Sequence, residues 1–118
     1  MTATIIDGNP IADRLRQGVA EDARRFAARY GSPPGLGVVL VGDNPASAQY
    51  VRMKRRACEA AGMKSVAHLL PENTPQNEVL AAVRSLNQDP HIHGILVQLP
   101  LPAHIDEIAI LSQVSLDK

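Results

Sequence analysis

The sequence predicts an α/β protein, a three-layer α/β/α structure around a mostly parallel sheet. Stretches with helical periodicity alternate along the 118 residues with short runs rich in β-branched residues, and the connections between them are short. Right-handed crossovers place the helices of such a chain on both faces of a parallel sheet. A chain of this length forms about one domain. Its aromatic content is only 3%, so we expect an aliphatic core.

The first two predicted elements are a long helix and a buried strand. Asn9 is the expected N-cap of the helix, with Pro10 in its first turn. Apolar residues then recur at roughly helical spacing until Gly31 ends the helix, and these residues are Ile11, Leu15, Val19 and Phe26. The run LGVVLVG at 36–42 is β-branched and bounded by glycines, and it predicts a fully buried strand.

The middle of the chain repeats this order of helix and strand. Asp43 or Asn44 can cap a second helix that has Pro45 at its first position. This helix should end at the Ala-Gly pair of residues 61–62, because glycine is common just after a helix. The run KSVAHLL at 64–70 is the second predicted strand.

A third helix and a third strand follow. Thr74 is the expected N-cap of the helix, with Pro75 at its first position. The apolar face of the helix comprises Val79, Leu80, Val83 and Leu86. Residues 89–90, Asp-Pro, end it, and HGILVQL at 93–99 is the third strand.

The last part of the chain carries one more helical pattern. This pattern begins at His104 or Ile105 and contains Ile108, Leu111 and Val114. The polar residues 115–118, SLDK, follow an apolar helix without a terminating signal. We therefore expect the natural sequence to continue.

Composition narrows the classes of function. Lys plus Arg and Asp plus Glu number 12 each, and this balance argues against nucleic acid or an anionic membrane as the main partner. The single cysteine, Cys58, cannot form an internal disulfide and fits a reducing compartment. The first residues lack the basic and apolar regions of a signal peptide, and no apolar run approaches a membrane span. We expect a cytoplasmic protein.

A candidate site lies where the first and third strands end. Ligands of open parallel sheets bind beyond the carboxyl ends of the strands, so the loops at 43–47 and 98–102 should meet at one edge. Tyr50 and Lys54 are four residues apart and share one face of the second helix. An aromatic ring beside an amine can hold a flat ligand while the amine exchanges protons, and Gln98 could hydrogen-bond that amine. A lysine that acts in this way near neutral pH needs a lowered pKa, from partial burial or from neighbouring cations.

Other interpretations of these residues stay open. Tyr50 and Lys54 can belong to a solvated helix face, and Gln98 can satisfy loop backbone groups. The basic run at 51–56 can be a solvated face or a nucleic-acid patch, although the neutral balance and the absence of flanking aromatic residues argue against the latter. No histidine pair has metal-ligand spacing, so we expect no metal site among His68, His91, His93 and His104. No G-x-G-x-x-G follows a strand, so we expect no dinucleotide site in this chain.

Two long motifs resemble one enzyme family. The segments VGDNPASAQYVRMKRRACEAAGM at 41–63 and GILVQLPLPAHID at 94–106 are similar to the patterns V-G-x-[DN]-P-A-S-x-x-Y-V-x-x-K and G-I-[LI]-V-Q-L-P-L-P. These patterns occur in the bifunctional methylenetetrahydrofolate dehydrogenase/methenyltetrahydrofolate cyclohydrolase family of the bacterial FolD type. The resemblance covers essentially the whole chain and implies that residues 1–118 are its N-terminal, tetrahydrofolate-binding catalytic domain.

The resemblance also implies roles for single residues. Tyr50 would stack on or orient the folate substrate. Lys54 would be the general acid/base of the cyclohydrolase step, and Gln98 would hydrogen-bond Lys54 and tune it. Pro100 and Leu101 would shape the wall of the folate cleft, and Ser47 would support the catalytic helix.

For the whole enzyme, the resemblance implies both oxidoreductase and hydrolase activity. NADP-dependent oxidation of 5,10-methylenetetrahydrofolate would give the 5,10-methenyl form, and hydrolysis would give 10-formyltetrahydrofolate, in one-carbon metabolism and purine biosynthesis. Family members are usually homodimers. Their NADP-binding Rossmann domain would follow a K-D-V-D-G-F segment that begins at residues 117–118, and both the aspartate of its D-G-F and that domain are absent from this chain. We therefore expect no dehydrogenase and little cyclohydrolase activity from these 118 residues alone.

Two alternatives to the interpretation as the N-terminal domain of this enzyme stay open. The chain could be a short folate-binding or regulatory module, or a structural interaction domain whose catalytic residues are idle. A nucleic-acid role ranks last.

Overall fold

The computed structural model describes residues 2–118 and contains the predicted alternation of helices and strands. The elements in chain order are α1 (Asn9–Tyr30), β1 (Gly35–Val41), α2 (Pro45–Ala60), β2 (Lys64–Leu70), α3 (Gln76–Gln88), β3 (Gly94–Val97) and α4 (Glu107–Leu111). No helix within residues 2–118 is both long and apolar enough to cross a membrane.

The three strands form one parallel sheet in the order β2-β1-β3. The central strand β1 pairs with β2 from Gly35 opposite Lys64, and with β3 from Leu36 opposite Gly94. Because all three strands run in the same direction, their carboxyl ends lie at one edge of the sheet. The predicted parallel α/β architecture is confirmed.

The two faces of β1 are covered by different helices. Val38 and Leu40 pack with Val51 of α2 on one face. The other face packs against α3 and α4 in a larger cluster, whose buried members are Val39, Val41, Val79, Val83, Leu86, Ile92, Val97, Leu101, Ile105 and Ile110. This alternation of side chains along a strand gives the predicted three layers.

Two predicted N-caps are wrong by one residue. Gly8 is the N-cap of α1, and Asn9 is its first helical residue, because the Asp7 carboxylate already accepts the Asn9 N–H at 3.0 Å. Pro75 takes the N-cap position of α3 with an extended backbone. Thr74 lies outside that helix, and its hydroxyl donates to the Pro71 carbonyl at 2.6 Å.

The ends of β3 and α4 also differ from the prediction. β3 covers only Gly94–Val97 of the expected 93–99, although the Gln98 N–H still donates to the Val39 carbonyl of β1 at 2.9 Å. The helix expected from His104 or Ile105 begins at Glu107. Residues 102–105 form a turn instead, and the Asp106 carboxylate caps the helix by accepting the Ala109 N–H.

The apolar stripe of α1 is exposed rather than packed on the sheet. Ile11, Leu15 and Val19 are 50%, 67% and 46% exposed. The helix reaches the sheet near its C-terminal end, where the Phe26 ring meets the His93 ring edge-on at 5.0 Å. Gly31 then ends the helix in the left-handed conformation, as predicted.

Candidate active site

An open cleft of about 300 Å³ lies at the carboxyl edge of the sheet. The loops that follow all three strands contribute to its walls. Its lining residues are Val41, Gly42, Asp43, Asn44, Glu72, Pro100, Leu101 and Pro102. Pro100 and Leu101 therefore lie where the sequence places a cleft wall. Leu101 is only 7% exposed and also belongs to the core below the cleft.

The start of α2 fixes the helix against this edge. Gly42 turns the chain with a φ of 93°, a conformation that favours glycine. The side-chain oxygen of Asn44 then accepts the N–H groups of Ala46 at 3.0 Å and Ser47 at 3.2 Å, which is a regular N-cap. Ser47 itself is 3% exposed. Its burial is what we expect of a residue that supports the helix, and it does not contact the cleft directly.

The predicted contact between the lysine and the amide is present. Lys54 Nζ donates to Gln98 Oε1 at 2.7 Å, although the two residues are 44 positions apart in the chain. The amide is oriented by its other end, since Gln98 Nε2 donates to the Leu99 carbonyl at 3.0 Å. The amine and the amide oxygen therefore face each other with a defined geometry, and both side chains are half-buried.

Tyr50 completes the group on the solvent side. Its ring is 56% exposed, and the ring centroid lies 6.0 Å from Lys54 Nζ. An exposed ring offers a face on which a flat ligand can stack, with the amine one helical turn away. Tyr50, Lys54 and Gln98 thus bring together an exposed aromatic ring, an amine and an amide that accepts a hydrogen bond from this amine.

The remaining polar residues of α2 do not join this group. Arg52 and Arg56 are exposed, and Arg55 is half-buried with no hydrogen-bond partner for its Nε among the described residues. Cys58 is buried on the inner side of the helix, as predicted. Burial raises the pKa of the Cys58 thiol, and the nearby Glu59 carboxylate adds to the effect. A buried thiol of raised pKa is a poor nucleophile.

The cleft contains one acidic residue that the motifs missed. Glu72 follows β2, and its side chain lies beside Gly42. The signal was available in the sequence, because the carboxyl end of the second strand belongs to the same edge as the other two. The prediction considered only the loops after the first and third strands.

The described residues do not fit a dinucleotide. A pyrophosphate needs free backbone N–H groups at a helix N-terminus, but the Asn44 side chain takes those of Ala46 and Ser47. Two carboxylates, Asp43 and Glu72, line the same cleft and would repel phosphate. No group of three or more potential metal ligands occurs within residues 2–118 either.

Solved structures share this fold over nearly the whole chain. A bifunctional FolD enzyme from Campylobacter jejuni matches with a TM-score of 0.91 and 44% identity, over 98% of this chain and 40% of that one. A FolD enzyme from Trypanosoma brucei, complexed with NADP cofactor and inhibitor, matches with a TM-score of 0.93 and 37% identity over 98% and 40%.

Sequence comparison finds further FolD proteins. The bifunctional protein FolD of Phenylobacterium zucineum is 56% identical over 118 residues, which are 100% of this chain and 40% of that protein. For FolD of Moorella thermoacetica the identity is 52%, over 100% and 42%. The chain thus spans about 40% of the length of the curated relatives that it matches. A family model for the catalytic domain of tetrahydrofolate dehydrogenase/cyclohydrolase covers residues 6–118, and the chain belongs to this family.

Proposed function

We propose that this chain is the tetrahydrofolate-binding catalytic domain of a bifunctional enzyme of folate one-carbon metabolism. The enzyme would oxidise 5,10-methylenetetrahydrofolate with NADP and hydrolyse the 5,10-methenyl product to 10-formyltetrahydrofolate. The hydrogen bond of 2.7 Å between Lys54 Nζ and Gln98 Oε1 carries the proposal, since an amine oriented by an amide and next to an exposed aromatic ring can exchange protons with a flat ligand stacked on that ring. The Campylobacter jejuni structure, which matches 98% of this chain, is named for both activities.

The hydrolytic step uses groups that this chain supplies. The folate ring system stacks on or beside Tyr50, which brings the methenyl carbon near the Lys54 amine. Water adds to this carbon, and the amine accepts the proton that the water loses. The Lys54 ammonium then returns its proton to N5 as the bond from this carbon to N5 breaks, and the hydroxyl group on the carbon loses its proton to solvent, which leaves the formyl group on N10. Gln98 holds the amine in place during both transfers, and Pro100 and Leu101 form the wall of the cleft.

The oxidative step needs a hydride acceptor that this chain does not hold. NADP would supply that acceptor, but the described residues do not fit a dinucleotide, so we assign no hydride-transfer step to them. Their part in oxidation is to bind the folate. The isolated 118-residue chain should therefore form no methenyltetrahydrofolate from NADP and the methylene substrate. Such formation would contradict the assignment.

The localisation, the partners and the oligomeric state are inferred from composition and from the family resemblance. The neutral charge balance and the single cysteine support a cytoplasmic protein that does not bind nucleic acid or membranes. The family resemblance supports a homodimer that contributes to purine biosynthesis.

The hydrolytic assignment is tested in the full-length protein with Lys54→Met. The assay follows the loss of methenyltetrahydrofolate absorbance above the buffer rate. We expect the turnover number to fall about 100-fold or more, since a positioned acid/base contributes about 10²–10⁴-fold. Lys64→Met is the matched control, because this lysine is exposed at the start of β2. If Lys54→Met hydrolysed the substrate as fast as Lys64→Met, the proposal would be wrong.

A further inference from the structure

The loop after Gln98 has few backbone groups with which to hold its shape. Residues 99–102 are Leu-Pro-Leu-Pro, and the two prolines have no N–H to donate. The last ladder bond is the one from the Gln98 N–H to β1. In the loop after Gln98, only Leu99 and Leu101 have a backbone N–H to donate. The position of the cleft wall therefore depends on the acceptors of these two groups.

One side chain meets this need. Glu107 Oε1 accepts the Leu101 N–H at 3.1 Å, in a part-buried position between the two prolines of the loop. Leu101 is itself 7% exposed, so its N–H has little access to water if the acceptor is removed. A buried N–H without an acceptor is unfavourable, and the loop would move to find another partner.

The segment that carries Glu107 is fixed by hydrogen bonds to α3 and to a residue just before that helix. Asp106, the preceding residue, donates its N–H to Gln76 Oε1 of α3 at 2.8 Å and accepts the Ala109 N–H of α4. The His104 ring also lies 2.8 Å from the Thr74 carbonyl, just before α3. The start of α4 is thus fixed relative to the start of α3. The hydrogen bond from the Leu101 N–H to Glu107 therefore holds the 98–102 loop against a fixed part of the structure.

We propose that Glu107 is a positioning residue of the active site. Through the Leu101 N–H it holds the 98–102 loop in the conformation that presents Gln98 to Lys54 and forms the cleft wall. This inference deepens the proposed function and rests on it, because the effect on turnover exists only if Lys54 is the acid/base. Glu107 acts as a hydrogen-bond acceptor, so an amide in its place retains the function.

The test compares Glu107→Ala, Glu107→Gln and the control Glu78→Ala in the full-length protein. Glu78 is an exposed glutamate in the first turn of α3. We expect Glu107→Ala to lower kcat for the cyclohydrolase reaction about tenfold, as a misplaced group near the chemistry does. The KM for the folate should rise as well, because the cleft wall moves. Glu107→Gln should stay within about twofold of wild type, since its side-chain oxygen still accepts a hydrogen bond.

Hydrogen exchange gives a readout that does not depend on activity. The Leu101 N–H should exchange at least about fivefold faster in Glu107→Ala than in wild type or Glu107→Gln, because it loses its acceptor. Turnover rates are divided by the folded fraction from near-UV circular dichroism, and exchange at Leu101 is compared with exchange of the buried β1 amides in the same variant, so a general loss of stability cannot imitate either effect. An unchanged kcat and KM after this correction would indicate a purely structural role and overturn the inference.

The outcomes separate this inference from the proposed function. Wild-type turnover that is lost in Lys54→Met supports the proposed function, and equal kinetics in Glu107→Ala would then overturn the positioning role alone. Equal impairment of Glu107→Gln and Glu107→Ala would overturn it too, because charge rather than acceptor geometry would matter. If Lys54→Met hydrolysed normally, the proposed function and the link from Glu107 to catalysis would both be wrong. Unchanged exchange at Leu101 in Glu107→Ala would overturn the positioning role in every case.

Discussion

Replacing Gln98 by leucine tests the link between the end of β3 and Lys54, the proposed acid/base. Leucine has a similar volume and keeps the packing, but it has no oxygen to accept the bond of 2.7 Å from Lys54 Nζ. A hydrogen bond to a charged group contributes about 1.5–3 kcal/mol, and each 1.36 kcal/mol is a factor of ten in rate. If this bond is needed in the transition state, the turnover number of Gln98→Leu should fall about 10- to 150-fold.

The assay is the decay of methenyltetrahydrofolate absorbance in the full-length protein, at saturating substrate and with the buffer rate subtracted. Gln49→Leu is the matched control, because Gln49 is exposed on α2 next to Tyr50 and has no assigned contact with the amine. This control should keep the wild-type turnover number. Near-UV circular dichroism confirms that both variants have the same folded fraction before their rates are compared.

One result would refute the reasoning. If Gln98→Leu and Gln49→Leu turned over equally fast at equal folded fraction, the amide would not act through Lys54. Gln98 would then only satisfy the loop backbone, through its bond from Nε2 to the Leu99 carbonyl. The proposed acid/base role of Lys54 would survive this result, because Lys54→Met tests it separately.

Three further predictions concern stability. Asn44→Ala should lower the free energy of unfolding by about 1 kcal/mol in urea, as loss of an N-cap does, and an unchanged midpoint would contradict the cap. Gly37→Ala should cost about 1–3 kcal/mol, because its Cβ would lie 2.7 Å from Leu86 Cδ2; equal stability would mean that the leucine simply rotates away. Cys58 has a raised pKa, so its contribution to stability is present below the unfolded-state pKa and is lost as pH rises through the folded-state pKa. The alkaline fall in unfolding free energy should therefore be smaller in Cys58→Ala, and equal falls in both proteins would contradict the shift.

The strands and the second helix could be predicted because their signals are local. The β-branched run between glycines predicted β1 within one residue of its observed bounds, and the predicted strand at 64–70 coincides with β2. Of the two predicted N-caps of α2, Asp43 and Asn44, the structure has Asn44, and Pro45 is the first helical residue as predicted. The contact between Lys54 and Gln98 was predictable for a further reason: parallel strands end at one edge, and residues at that edge converge whatever their separation in sequence.

The misplaced boundaries lie where several neighbouring residues could each begin a helix. Residues 104–106 offer several starting points for a helix, and only the packed structure shows that Asp106 provides the cap. Glu107 was missed for the same reason, since nothing in its local pattern says that its carboxylate reaches back to the Leu101 N–H. Such contacts depend on the geometry of neighbouring elements and leave no periodic signal.

The stripe on α1 shows a different limit. Its spacing correctly indicates a helix with an apolar side, but spacing cannot say what covers that side. Leu15 and Val19 border an apolar groove with Ala57 and Cys58 of α2, and they stay largely exposed in this chain. Periodicity predicts which residues need a partner surface, and tertiary structure alone identifies the partner.

The central strand β1 positions the two elements that carry Lys54 and Gln98, whose side chains form the hydrogen bond of 2.7 Å. Lys54 lies on α2, which packs through Val51 on the face of β1 formed by Val38 and Leu40. Gln98 extends from β3, whose last ladder bond also ends on β1. Both partners are therefore positioned against the same buried strand, and the hydrogen bond from the Leu101 N–H to Glu107 fixes the loop that follows Gln98. Sites built on rigid elements hold their geometry better than sites on loops. A cavity in β1 should consequently disturb catalysis before it unfolds the domain.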